Sequence, residues 1–587
     1  MHVVATAGHV DHGKSTLVLA LTGMDPDRFA EEKARGLTID LGFAWTRLAS
    51  GRELAFVDVP GHVRFIKNML AGVGAVDASL FVVAATEGWK PQSEEHLRIL
   101  EVLGVEHGLV ALTKVGLVDD EWLELAHLDL ADHLKGTFLE DADVVDVDAV
   151  SGTGLADLQA ALDRMLEGTP TAPDRGRPRL WVDRSFAAKG SGTVVTGTLA
   201  GGPLAVDDDL VVVGGGSPSS AASAPRARVR SLQSHKAKLT HASPGRRLAV
   251  NLAGIHHHEV ERGHALVRPD QWAPTRRLDC SLTVLASLDH DVSRRGAYQA
   301  YIGSGEHPVR MRVLGAEALA PGAVGLVRLH LPVALPLLPG DRYVLRESGR
   351  AETVGGGEVL DVAPVLPAYR ARPTRSVDRV ISERGWVEAE VLERLTGERR
   401  PATVGGRWVV DPGVRTAAEE RLAAAVDEAG PLGLDVAGLD ERERALLAGL
   451  DGVTVDAGRA KRGAGGEGAA GDPLAGHPYL AALQASPFSP PPPEGVDRAE
   501  LRELARRGLV VEREGVWFSP SALEEAARIV ARLLVTSPEG VTVAQVRDAL
   551  GTSRKYILPV LAHLDASGVT RRRGDLRIGG PRLPAPS

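Results

Sequence analysis

Along the first 170 residues, short apolar runs alternate with stretches whose apolar positions recur at helical spacing. Residues 2–7 (HVVATA) read as a short buried strand, followed by a Gly-bearing loop and the helical run Ser15–Thr22. The runs Leu54–Val59, Ser79–Ala85 and Gly108–Thr113 then alternate with helical stretches Val63–Ala71 and Ser93–Leu103. Strand and helix in alternation predict a doubly wound parallel sheet over 1–170. From Arg179 to about Pro367 the pattern becomes short β-rich runs (Leu180–Val182, Thr193–Thr198, Leu210–Val213, Leu248–Leu252, Val324–Leu331) separated by Gly, Pro and Asp. That spacing predicts two small β-barrels, over 175–268 and 272–367. Beyond Ala368 short helices return. The phrases GRWVVDP (406–412) and GVWFSP (515–520) form a weak internal repeat, each a closing strand before the next module. Helices followed by a hairpin predict winged helices in series over 368–587, the last at 521–580. Gly463–Gly471 and Pro490–Pro493 read as flexible insertions.

Length agrees with several cores, since 587 residues exceed what one hydrophobic core organises. The single cysteine, Cys280, excludes an intramolecular disulfide and a multi-thiolate zinc site, and fits a reducing cytosol. No apolar run is long enough to span a bilayer. Functional sequence begins within the first ten residues, which argues against a signal peptide, so a cytoplasmic protein is expected. The net charge of −9 argues against a chain that binds nucleic acid over its whole surface. Charge is uneven, however. Arg226–Arg247 holds seven Lys or Arg and no acid, and Gly551–Ser587 holds seven basic against two acidic residues. Taken alone, each cluster reads more readily as a solvated face than as an RNA contact.

The segment Gly8-His9-Val10-Asp11-His12-Gly13-Lys14-Ser15, followed by Thr16, matches a phosphate-binding loop between strand and helix. Glycines let backbone amides curl around phosphate oxygens, Lys14 neutralises the β and γ phosphates, and the Ser15 hydroxyl suits Mg²⁺. Asp58-Val59-Pro60-Gly61-His62 follows a strand, placing Asp58 to hold the metal through water and Gly61 to offer an amide to the γ-phosphate. Between them lies Arg35-Gly36-Leu37-Thr38-Ile39, with Thr38 a suitable switch ligand to the metal.

These three motifs together resemble the translation-factor GTPases, of which elongation factor Tu is the best known. The resemblance implies a P-loop GTPase domain using GTP and Mg²⁺, with Ser15, Thr38 and Asp58 around the metal. It assigns His62 to positioning the attacking water, beside an apolar gate of Val10 and Leu37. Two departures stand out. The family reads guanine with Asn/Thr-Lys-x-Asp, whereas this chain has Thr113-Lys114-Val115-Gly116; and a Ser-Ala-x motif reads Asp148-Ala149-Val150. Lys114 can still cover the base and the Ala149 amide can still address the guanine carbonyl. Asp119, three residues on, and Asp148 are the two candidates to replace the missing carboxylate.

The segment Leu180–Phe186 with Lys189–Thr198 resembles the second domain of the same GTPases, which helps to form the pocket for the aminoacyl end of tRNA. In the tail, Val541–Leu550 and Ser553–Leu564 read as two helices, and Val569–Ile578 as a hairpin turning at Gly574. Ser553 is placed to cap the second helix. Arg554, Lys555 and Tyr556 at the helix start, and Arg571, Arg572 and Arg573 on the wing, suit a hairpin RNA. The phrases G-T-S-R-K-Y and T-R-R-R-G-D resemble the terminal winged helix of the bacterial selenocysteine-specific elongation factors, in which that module binds an mRNA stem-loop beside a recoded UGA. The resemblance implies a monomer with selenocysteinyl-tRNA, the ribosome and that stem-loop as partners. A selenol ionises more readily than a thiol, so a pocket selecting it should offer fixed positive charge. Arg184, with Asp183 beside it to orient neighbours, and Arg247 are the candidates; contact with tRNA phosphates explains these arginines as well. The rival readings are the GTPase subunit of sulfate adenylyltransferase, which lacks such a tail, and a nucleotide-gated RNA-binding regulator with little hydrolysis.

Overall fold

The computed structural model describes residues 1–27, 32, 38–62, 65–73, 76–188, 190, 192–215, 224–463, 474 and 476–585. Arg35, Gly36, Leu37, Lys189, Ser191 and most of Gly463–Gly471 lie outside the described residues. The chain forms two compact units, Met1–Ala402 with Arg407–Asp411, and Thr403–Gly406 with Pro412–Ser587.

The first unit begins with a six-stranded sheet. Its strands are β1 (His2–Ala7), β2 (Gly42–Arg47), β3 (Glu53–Asp58), β4 (Ala78–Ala84), β5 (Gly108–Thr113) and β6 (Val144–Val147), in the order β2-β3-β1-β4-β5-β6. Five strands run parallel, and β2 is an antiparallel edge, which the pattern of apolar runs does not announce. Every residue of β1 and β4 is buried, as befits strands covered on both faces. Alternation divides the strands between two cores. Val3, Ala5 and Phe81 meet Met69 and Leu70 of α2 (Ile66–Val73) and Leu97 and Leu100 of α3 (Pro91–Val102). Val4, Phe56 and Leu80 meet Leu17 and Leu21 of α1 (Lys14–Thr22) and Leu158 and Leu162 of α5 (Leu155–Gly168), whereas Ala126, Leu130 and Leu134 of α4 (Asp120–Leu134) join the first core.

Two closed barrels follow. In the first, Asp209–Val213, Ala265–Val267, Arg179–Trp181, Gly192–Ala200, Arg247–Ala253 and Arg226–Ser234 pair in turn, and the last returns to Asp209–Val213. Arg184–Ala188 pairs with Gly192–Ala200 as an extra strand. The second barrel is Thr275–Val284, Val324–Leu335, Gly305–Leu314, Tyr298–Ile302, Arg342–Glu347 and Glu352–Asp361. Burial raises the pKa of the Cys280 thiol well above its ordinary value, so it is an inert core group. The second barrel is fastened to the sheet domain through Arg346, whose guanidinium meets Glu95 on α3 at 2.6 Å.

Helix and hairpin then repeat. The first module, still in the first unit, is Val377–Arg384, Ala389–Thr396 and the strand pair Trp386–Glu388 with Trp408–Val410. The second unit holds three more: Pro412–Glu428 to Arg459–Arg462, Pro478–Ala485 to Val516–Phe518, and Pro520–Thr536 to Leu576–Gly579. The two repeated phrases do what their sequence suggests: Trp408–Val410 closes one hairpin before a helix starting at Pro412, and Val516–Phe518 another before Pro520. Proline suits a first helical position, where its missing N–H costs nothing. Pro490–Pro493 is not a loose insertion, because Pro490 is buried and Tyr479 donates to the Pro491 carbonyl at 3.1 Å.

On the outer face of the second barrel, alternating with the core residues Leu278, Cys280, Val327 and Leu329, Arg328 and Asp279 stand opposite each other on paired strands and form a bidentate pair at 2.6 and 2.8 Å, almost wholly buried. Asp279→Ala leaves a buried guanidinium uncompensated, and should cost about 3–5 kcal/mol. Calorimetry should show the barrel's transition moving to lower temperature; an unchanged transition would refute this account of the pair.

Candidate functional site

The phosphate loop is shaped by three close approaches. Gly8 has φ +128°, and a Cβ there would collide with the Val82 carbonyl of β4. Gly13 and Asp11 also lie in the left-handed region, φ +85° and +62°. The Gly8 amide donates to His96 Nδ1 at 3.1 Å, and Thr113 at the end of β5 donates to the His12 carbonyl at 2.7 Å. Burial lowers His12 to about 4 and His96 to about 3, so both imidazoles are neutral at pH 7, and His96 holds its proton on Nε2. His9 lies edge-on to His12, ring centroids 5.1 Å apart. Lys14 is buried, with Nζ donating to the Gly8 and His9 carbonyls at 3.0 and 2.6 Å, and desolvation lowers its pKa to about 8. A buried ammonium of this kind is the partner a phosphate anion neutralises.

Oxygen atoms converge beside it. Ser15 Oγ donates to Asp58 Oδ2 at 2.6 Å and lies 2.8 Å from Thr38 Oγ1. Thr6 fixes the other Asp58 oxygen at 2.7 Å. Burial raises the Asp58 pKa, against the bonds from Ser15 and Thr6. The donor set is hydroxyl and carboxylate oxygen only, which fits a hard divalent cation such as Mg²⁺. One neighbour is not evident from the sequence: Asp27 accepts from Thr38 Oγ1 at 2.9 Å. No motif marks Asp27, since the contact exists only once residues 38–40 fold back.

Gly61 lies directly against this loop. A Cβ on it would meet Lys14 Nζ and would lie 2.7 Å from the Val10 amide. Pro60 is buried and His62 half-buried, on either side of the glycine that lies against Val10, and the His62 ring is tilted against Phe65 with centroids 5.9 Å apart. Thr16, on α1, is exposed.

On the far side of the loop, Lys114 has φ +60° and its ammonium meets Glu87 at 3.3 Å. Asp119 is already committed, because it caps α4 by accepting from the Trp122 amide at 2.9 Å. Asp148 accepts from the Val150 amide at 2.9 Å, around the half-buried Ala149, and its other oxygen faces Gly116.

A second cleft, of about 790 Å³, opens between the sheet domain and the first barrel. Arg247 forms a bidentate pair with Asp183 at 2.5 and 2.9 Å, and its guanidinium lies 3.3 Å from the Phe43 ring centroid. Burial acts to raise the Asp183 pKa, yet the Arg247 guanidinium holds it below the usual range. Arg184 donates to Asp40 at 3.2 Å and to the Leu41 carbonyl, and Arg262 meets Asp40 at 3.4 Å and Asn68 at 3.1 Å. Arg184, Arg247 and Arg262 face Asp40, Asp183 and Glu261 around the cleft. The arginines are therefore paired with carboxylates, and do not stand as the surplus positive charge a simple anion pocket requires. Leaving a part-buried guanidinium without a partner is costly, and that explains the pairing.

In the last module, the helices Val543–Ala549 and Arg554–Ala566 precede the hairpin Thr570–Arg573 and Leu576–Gly579, with Gly574 at φ +62° in its turn. Arg571, Arg572 and Arg573 are all exposed, whereas Arg577 is turned inward onto Asp565. Arg554 and Lys555 are exposed at the helix start, and the Lys555 ammonium lies 5.2 Å from the Tyr556 ring centroid. Ser553 occupies the N-cap position without a side-chain capping bond; its carbonyl receives the Ile557 amide at 3.1 Å.

Residues 1–168 match the family described as the elongation factor Tu GTP binding domain. With two barrels behind that domain, the fold and its phosphate site define a GTP-binding protein of the elongation-factor class. Residues 532–578 match the winged helix of elongation factor SelB. The chain is 30% identical to the selenocysteine-specific elongation factor of Escherichia coli (strain K12), over 98% of each protein. It is 39% identical to that of Desulfomicrobium baculatum over 72% of this chain, an alignment spanning 64% of that relative and so less than two thirds of its length. The crystal structure of a bacterial selenocysteine-specific elongation factor, EF-Sec, superposes with a TM-score of 0.68 at 26% identity, covering 98% of this chain and 99% of that one. Elongation factor SelB from Methanococcus maripaludis, in complex with the GTP analogue GppNHp, shares the fold at 23% identity and a TM-score of 0.52, over 62% of this chain and 80% of that one. This chain belongs to the selenocysteine-specific elongation factor family.

Because the Val82 carbonyl fills the space beside Gly8, Gly8→Ala should abolish nucleotide binding while the barrels stay folded. Titration with a fluorescent GDP, alongside a circular dichroism spectrum, checks this; retained binding would sink the stated reason for the glycine.

Proposed function

We propose that this protein binds GTP with Mg²⁺, carries selenocysteinyl-tRNA to the ribosome, and engages an mRNA stem-loop beside a UGA codon through its last winged helix. The observation that supports this reading is the correspondence with the Escherichia coli selenocysteine-specific factor over 98% of both chains, from phosphate loop to terminal hairpin. Ser15, Thr38 and Asp58 would hold the metal, which supplies positive charge to the β and γ phosphate oxygens. Lys14 adds a buried cation on the same phosphates, and the amides of His9 to Gly13, with that of Gly61, complete the cradle. His62, one residue beyond Gly61, orients the attacking water once the ribosome has set the switch segments. Thr38 then loses its phosphate-side anchor, and the segment around it is released.

In this reading the cleft lined by Asp183, Arg184 and Arg247 takes the aminoacyl group. Selectivity comes from exchange, not surplus: a selenolate competes with Asp183 for guanidinium N–H donors that a neutral seryl hydroxyl cannot displace. Arg247→Ala should therefore weaken binding of selenocysteinyl-tRNA on the order of tenfold more than that of the seryl form. Equal losses for the two, measured by protection of the aminoacyl ester from hydrolysis, would remove Arg247 from selection.

The exposed wing arginines would supply phosphate contacts to the message. Replacing Arg571, Arg572 and Arg573 together by alanine should weaken binding to a selenoprotein mRNA hairpin and flatten its log–log salt dependence by roughly 2 to 3. GDP affinity serves as the internal control. A variant that binds the hairpin with unchanged affinity and salt slope would overturn the placement of the RNA on this wing.

A further inference from the structure

Guanine recognition in this family rests on a carboxylate that accepts the ring N–H and the exocyclic amino group, and its usual position is held here by Gly116. Gly116 lies in the short turn Val115–Leu117 that follows β5. A Cβ built on it would lie 2.5 Å from Asp148 Oδ2, 3.5 Å from Asp148 Cγ and 3.9 Å from Asp148 Cβ. The space that a side chain at position 116 would fill is thus occupied by a carboxylate arriving from another loop. The sheet explains how it gets there. β5 and β6 pair in parallel with Thr113 opposite Val147, so the residues after each strand emerge side by side.

The Asp148 carboxylate is aimed, not merely nearby. Its Oδ1 accepts from the Val150 and Ser151 amides at 2.9 and 3.4 Å, which fixes its rotamer. Its backbone is held as well, with the Asp148 amide donating to the Thr153 carbonyl at 3.0 Å. Oδ2 is the oxygen turned toward Gly116. The other candidate, Asp119, spends its side chain on the cap of α4.

We propose that Asp148 is the guanine-reading carboxylate of this protein, delivered over Gly116 from the loop after β6. Resting on the nucleotide site of the proposed function, it names the group that gives that site its base specificity. The two departures from the family pattern are then one change: the carboxylate has crossed from the β5 loop to the β6 loop, and the vacated position must be glycine because a side chain there would strike it. Guanine offers Asp148 two donors. Adenine offers no ring N–H at that edge, and xanthine presents a carbonyl where guanine has its amino group, so a carboxylate rejects both.

The test is equilibrium titration of the full-length chain with fluorescent GDP, XDP and ADP. The wild type should prefer GDP to both others. Asp148→Asn turns one acceptor oxygen into an N–H donor, and should lower GDP affinity at least about tenfold while raising XDP affinity by a similar factor. The double change Gly116→Asp with Asp148→Ser, which returns the carboxylate to the β5 loop, should keep the GDP preference. It decides the matter if Asp148→Asn folds poorly. Unchanged GDP affinity and no gain for XDP in Asp148→Asn would overturn the assignment, as would equal GDP and ADP affinity in the wild type. A wild type that binds no guanine nucleotide would instead bring down the proposed function itself.

Discussion

The structure of the nucleotide site depends on keeping the Asp58 carboxylate out of water. Two hydroxyls, from Thr6 on β1 and Ser15 on α1, bind its two oxygens, and through Ser15 it reaches Thr38. An unpaired carboxylate at such depth would be too costly to keep ionised, so strand, helix and switch segment must close around it together. The buried ammonium of Lys14 lies on the other side of the same loop, held by two backbone carbonyls. The domain therefore builds an oxygen-rich corner and a cation side by side. Both are stable because each polar atom has a fixed partner, and both suit a polyphosphate and its metal.

What could be read from the sequence follows from how far apart the partners lie. The phosphate loop was legible because Gly8, Gly13, Lys14 and Ser15 act within one turn of chain, and glycine at a strand–helix junction has few other uses. The barrels were legible from alternation, as in Gly192–Ala200, where every second residue is buried. The helix–hairpin repeats were legible from their closing phrases, since a strand ending two residues before a proline has an evident physical meaning. The antiparallel edge β2 was not, because its apolar run Phe43–Trp45 is only three residues long before Thr46 and Arg47.

The misses concern partners distant in sequence. Arg184 and Arg247 are legible as fixed positive charge but their carboxylate partners are not, for Asp183 lies 64 residues from Arg247 and Asp40 lies 144 from Arg184. Arg262 beside Asp40 was likewise invisible, for it depends on the first barrel meeting the sheet domain, and Asp27 beside Thr38 carries no motif of its own. Asp119 was a candidate by proximity in sequence alone; a carboxylate just before a helix has a local use as a cap, and that use prevails.

One short stretch joins the two sites. Thr38 belongs to the oxygen corner, Asp40 is gripped by Arg184 and Arg262, and Phe43 lies under Arg247. Only Ile39 separates Thr38 from Asp40, a backbone span of roughly 7 Å with almost no slack. Thr38 therefore cannot travel far without dragging Asp40 from its two arginines, and a neutral cleft would become a cationic one. The charge balance of the cleft on the first barrel is thus tied to the oxygen corner of the sheet domain through a single intervening residue.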